Sequence, residues 1–76
     1  MPKLPNITPK TVIKFLESKG FQEDHATGSH FVFYSLITGK RTTVPFHHKD
    51  IPKGTLLSII NMAGFTKEDL SDFLRK

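Results

Sequence analysis

The stretch Thr27-Gly28-Ser29-His30-Phe31-Val32-Phe33-Tyr34-Ser35-Leu36-Ile37 couples a tight turn to the densest run of aromatic and β-branched residues in the chain. Glycine allows positive φ and serine can bond back to the turn backbone, so Thr27-Gly28-Ser29 reads as a turn and His30 to Ile37 as a strand. At a period of two, Phe31 and Phe33 share one face, and His30, Val32 and Tyr34 share the other. The phenylalanines are expected to face a helical layer, which leaves His30 and Tyr34 on the open side. An imidazole titrates near neutral pH and here stands at the mouth of a strand. From the tripeptide alone, a polar strand-end residue bonded locally is the more economical reading of His30.

Working outward, Phe21 to Ala26 alternates weakly and carries the acidic pair Glu23-Asp24, which suits an exposed edge strand. Before it, Thr8-Pro9 reads as N-cap and first helical position. Val12, Ile13, Phe15 and Leu16 then form one apolar face, with Lys10, Lys14, Glu17 and Lys19 elsewhere. Gly20 stops this helix, and Phe21 is expected to fold back onto Leu16. Residues 1–7 hold two prolines and no periodic pattern, and read as a frayed lead-in.

On the other side, Thr38-Gly39 makes a turn and Lys40 to Pro45 returns as a third strand that the proline ends. Residues 46–54 form a polar, basic connection. The next helix runs from Thr55 to Ala63. Its apolar residues Leu56, Leu57, Ile59, Ile60 and Met62 nearly encircle it, so it is expected to be the best-buried element, with Gly64 as its C-cap signal. A last short helix starts at Thr66, with Asp69 as a capping-box analogue and Leu70, Phe73 and Leu74 on one stripe. The order helix, three-stranded antiparallel meander, helix, short helix gives an α+β two-layer sandwich with helices on one face, in one domain over residues 1–76.

Composition bounds the function. A 76-residue chain buries only about 60% of the surface its unfolded form exposes, so deep clefts between domains are excluded. Seven phenylalanines suffice for one small core, and the absence of cysteine rules out disulfides and thiolate metal sites and suits a reducing cytoplasm. No apolar run approaches the roughly 18 residues of a membrane span. Eleven Lys and Arg against seven Asp and Glu give a formal charge of +4, a bias toward anionic partners.

Three groups of residues could carry chemistry. His25, His30, His47 and His48 lack ligand spacing for a metal, so no metal or other cofactor is expected. Phe31, Phe33 and Phe46 could stack on bases but fit a core better, whereas Tyr34 shares the face of His30 and offers a hydroxyl to phosphate. The segment 40–53 carries Lys40, Arg41, Lys49 and Lys53 against Asp50 alone. Such a cluster can be a solubilising rim. Beside an imidazole it is also what RNA cleavage without a metal requires: cations to hold phosphates and a base for the 2′-hydroxyl proton.

Gly20-Phe21, Gly28-Ser29-His30, Thr43-Val44-Pro45, Lys49-Asp50-Ile51-Pro52-Lys53-Gly54-Thr55-Leu56 and Ala63-Gly64 together closely resemble the HicA (YcfA-like) toxins, over roughly residues 10–75. The resemblance implies a double-stranded-RNA-binding-domain-like fold with a short extra C-terminal helix. It also implies endoribonuclease activity on messenger RNA and neutralisation by a HicB-type antitoxin. The family's catalytic histidine lies in the Gly-Ser-His turn, here His30. Ser29, Tyr34, Lys40, Arg41, His47, Lys49 and Lys53 are then the expected RNA contacts. The chain departs from its relatives in carrying Phe31 after the histidine and the acidic pair Glu23-Asp24 on the first strand. Two other readings use the same residues: a non-catalytic RNA-binding module, and an interaction protein that never touches RNA.

Overall fold

A computed structural model describes residues 6–46 and 50–75. Helix α1 (Pro9–Ser18) is followed by strands β1 (Phe21–Thr27), β2 (His30–Ser35) and β3 (Arg41–Pro45), then by helices α2 (Lys53–Met62) and α3 (Lys67–Leu74). The strands form one antiparallel sheet in the order β1-β2-β3, so β1 lies at an edge, as its acidic pair suggests. The helices cover one face: α1 packs on β1 and β3, and α2 on β3 and α3. This is the expected α+β two-layer sandwich, in the α-β-β-β-α arrangement of a double-stranded-RNA-binding domain with one added helix.

Local signals account for the helix ends. The Thr8 hydroxyl accepts the Thr11 N–H and Pro9 occupies the first turn, where its missing donor costs nothing. Gly20 adopts φ +92° just past the C-cap and donates to the Glu17 carbonyl, ending α1. Thr66 and Asp69 exchange both bonds of a capping box at α3. After α2, the amides of Gly64 and Phe65 bond back to Asn61 and Ile60, a complete Schellman ending.

The core lies between sheet and helices and comprises Val12, Phe15, Leu16, Phe21, Phe33, Val44, Leu56, Ile59, Ile60 and Leu70, joined by Ile7 and Ile51. Phe15 stands at its centre with its ring edge-on to Phe65 (5.2 Å) and Phe73 (5.4 Å). Buried Thr42 donates its hydroxyl to the Ile59 carbonyl at 2.8 Å and so ties β3 to α2. Among the described residues no buried side-chain polar atom lacks a partner.

Five expectations need correction. Ile7 is not part of a frayed lead-in: it is 2% exposed, and its carbonyl accepts the Ile51 N–H. Residues 1–5 lie outside the described part. Strand β2 ends at Ser35, leaving Leu36 and Ile37 exposed, because the buried Ser35 hydroxyl takes the Ile37 and Thr38 amides away from the ladder. Strand β1 runs one residue further, to Thr27, and its register shifts between Glu23 and His25, so Asp24 is the extra residue of a bulge. Helix α2 begins at Lys53, where the Pro52 carbonyl accepts the Leu56 amide. Nor is α2 the best-buried element. Leu56, Ile59 and Ile60 face inward while Met62 is 57% exposed, and α1 buries Pro9, Val12, Phe15 and Leu16.

Candidate functional site

The open face of the sheet follows from the pairing. Thr42 and Val44 of β3 and Phe33 of β2 point into the core, so their neighbours Arg41, Thr43, Pro45, His30, Val32 and Tyr34 point away from the helices. On β1, His25 stands opposite Val32 and Thr27 opposite His30, which sets both on the same open face.

His30 is the first residue of β2 and is exposed. It follows a two-residue loop, Gly28-Ser29, in which Gly28 has φ +58°; a left-handed glycine in the first loop position matches the twist of the flanking strands. The Ser29 carbonyl accepts the Phe46 amide at 2.6 Å, extending the contact between the turn and the end of β3. The Phe46 ring packs 5.2 Å from Phe31 on the helical side. The chain therefore leaves β3 directly beside Ser29 and His30. His47 and Lys49 lie outside the described residues.

At the other end of the open face Tyr34 and Arg41 are cross-strand partners. The Arg41 guanidinium lies 5.1 Å over the Tyr34 ring, and its Nη1 donates to Asp24 Oδ2 at 3.2 Å. The same carboxylate oxygen is 2.8 Å from His25 Nδ1. The hydrogen bond from His25, then that from Arg41, hold the Asp24 carboxyl below its usual range. The bulge makes this cluster possible: Asp24 alternates onto the open face with Gln22, and the extra residue keeps His25 on that same face beside it. From His30 to Tyr34 is four residues along one strand, about 13 Å at the usual rise.

The structure thus brings Ser29, His30, Tyr34 and Arg41 to the open face and its rim. Lys40 is set apart from its neighbour: its stem lies against Gly64, with Cδ 2.8 Å from where a β-carbon would sit, toward the helical layer. Lys53 begins α2 and is exposed. Because α2 ends where Lys40 meets Gly64, its first residue lies toward the Pro45 end of β3, the end that carries His30. Sequence reading passed over Asp24 and His25 as site residues; only the bulge reveals their partners, and no local sequence signal marks it. Among the described residues no group of three or more His, Asp or Glu converges as a metal site would require, and no helix is long and apolar enough to cross a membrane.

A family model described as "HicA toxin of bacterial toxin-antitoxin" matches residues 9–65, about three quarters of the chain. It runs from the first residue of α1 to the end of the Schellman turn after α2. No curated protein matches the chain. A continuous match from Pro9 to Phe65, spanning the whole open face, places this chain in the HicA toxin family of bacterial toxin–antitoxin systems.

Proposed function

We propose that this toxin is an endoribonuclease that cleaves messenger RNA in the cytoplasm without a metal, with His30 as its general base. The observation that carries the reading is the exposed imidazole of His30 at the strand mouth, on an open sheet face and beside the point where the chain leaves β3. RNA supplies its own nucleophile. The 2′-hydroxyl attacks the adjacent phosphorus once its proton is removed, so no activated water is needed. His30 takes that proton, the O2′–P bond forms, the P–O5′ bond breaks and the departing O5′ takes up a proton, giving a 2′,3′-cyclic phosphate and a 5′-hydroxyl end.

The strand runs along the open face. Arg41 and Tyr34 contact it some 13 Å from His30 and Ser29 contacts it beside the imidazole, with His47, Lys49 and Lys53 as further RNA contacts. Lys40 contributes charge from the flank. A HicB-type antitoxin neutralises the toxin by covering this face, which removes substrate access and the imidazole together.

The test uses the purified chain and an RNA strand whose cut site is known. Replacing the 2′-hydroxyl by hydrogen at the nucleotide 5′ to the cut should abolish cleavage there, and the normal products should carry cyclic phosphate ends. Cleavage that persists on the deoxy-substituted strand would overturn the mechanism. Retention of intact RNA with steep salt dependence, and no turnover, would instead identify a pure binder.

A further inference from the structure

The departing O5′ needs a proton when the P–O5′ bond breaks, and His30 as base does not identify the group that gives it. The charged and titratable groups on the open face, among the described residues, are Asp24 and His25 from β1, His30 and Tyr34 from β2 and Arg41 from β3. Of these, only His25 is a second imidazole. It is opposite Val32 while His30 is opposite Thr27, so the two histidines are diagonal neighbours on adjacent strands, with Cα atoms about 7–8 Å apart. A phosphodiester held between them can place O2′ and O5′ each within about 3 Å of one imidazole.

His25 is also the oriented one. Its Nδ1 is 2.8 Å from Asp24 Oδ2, and Arg41 steadies the same carboxylate from the far side. An ionised carboxylate only accepts, so Nδ1 carries the hydrogen of that bond and Nε2 is left as the nitrogen that exchanges a proton. The His25 side chain is 55% exposed and so open to substrate.

We propose that His25 is the general acid of the cleavage, protonating the 5′-oxygen while His30 removes the 2′-proton, with Asp24 as its positioning residue. This rests on the ribonuclease reading of the toxin. Each turnover moves one proton from O2′ to His30 and one from His25 Nε2 to O5′, and solvent exchange resets both imidazoles. The bulge at Asp24 then has a purpose: it sets carboxylate and imidazole side by side on the open face.

The test compares wild type, His25→Ala, His25→Asn, Asp24→Asn and His30→Ala on two RNA strands, one ordinary and one with sulfur bridging in place of O5′ at the cut. A thiolate leaves without being protonated. On the ordinary strand both His25 variants should be slowed at least 100-fold. On the sulfur strand they should come within about threefold of wild type, while His30→Ala stays slow on both. Asp24→Asn keeps an acceptor but loses the charge, so it should lower kcat more than it changes KM on the ordinary strand and come within about threefold of wild type on the sulfur strand. Circular dichroism confirms that each variant is folded.

Equal slowing of the His25 variants on both strands, or near wild-type rates on the ordinary strand, would overturn the assignment of His25 and leave His30 as the base. Wild-type rates for His30→Ala would instead overturn His30 as the base, and absence of cleavage by the wild type would overturn the underlying ribonuclease reading.

Discussion

Phe15→Leu should destabilise this domain more than its modest change of size suggests. Phe15 is fully buried, and its ring meets Phe65 and Phe73 edge-on at 5.2 and 5.4 Å, joining α1, the turn after α2, and α3. Each such aromatic pair contributes about 0.5–1.5 kcal/mol beyond buried area. The imperfect fit of leucine adds about 1 kcal/mol. The expected loss is therefore roughly 2–4 kcal/mol, out of a total on the order of 4–11 kcal/mol for a chain of this length. It should lower the melting temperature by about 10–30 °C. Urea denaturation followed by circular dichroism measures the loss directly. A double-mutant cycle with Phe65→Leu should return a coupling of about 0.5–1.5 kcal/mol. A loss below about 1 kcal/mol, or strict additivity in the cycle, would refute the idea that these rings act as a unit.

Three further outcomes follow from single contacts. Thr42→Val should cost about 1 kcal/mol in the same denaturation experiment, since the Ile59 carbonyl keeps its bond to the Ala63 amide and loses only the hydroxyl. Gly64→Ala should cost about 1–2 kcal/mol, because φ is +88° there and the new methyl would also push the Lys40 stem aside. Asp24 should titrate, by carbon-detected NMR, below the ordinary aspartate range. Because its folded pKa is depressed, the stability it contributes is present above the unfolded value and disappears as pH falls through the folded one. The gap in stability between wild type and Asp24→Asn should therefore close in acid.

What could be read from the sequence was local. Thr8-Pro9, Gly20, Gly64 and the Thr66/Asp69 box each act within one turn of chain, and each predicted a helix end correctly. The alternation of Phe31 and Phe33 with His30 and Tyr34 fixed which face of β2 is open. The failures arose where a hydrogen-bond partner that periodicity and propensity do not register decided the outcome. Ile7 has no pattern around it and is buried through a backbone bond to Ile51, forty-four positions away. Leu36 and Ile37 have strong strand propensity, yet a neighbouring serine hydroxyl captures the amides they would need.

The site divides in the same way. His30 was visible because a turn announces it, and Arg41 and Tyr34 were visible as residue types. Their stacking was not, since it depends on the β2–β3 register. Lys40 and Arg41 are adjacent in the chain and sit in different layers, because β3 begins between them. Asp24 and His25 were read as an edge-strand charge and one of four scattered histidines. A bulge without glycine leaves no mark in the sequence, and it is the bulge that joins them.

The central claim is that this toxin acts through cleavage of messenger RNA by His30. Its most direct test is controlled expression of the wild type and of His30→Ala in bacteria lacking any antitoxin, following growth and the integrity of messenger RNA. The account predicts arrest with loss of full-length messages for the wild type alone. Arrest with the same RNA loss from His30→Ala, or arrest by the wild type with its messages intact, would contradict it.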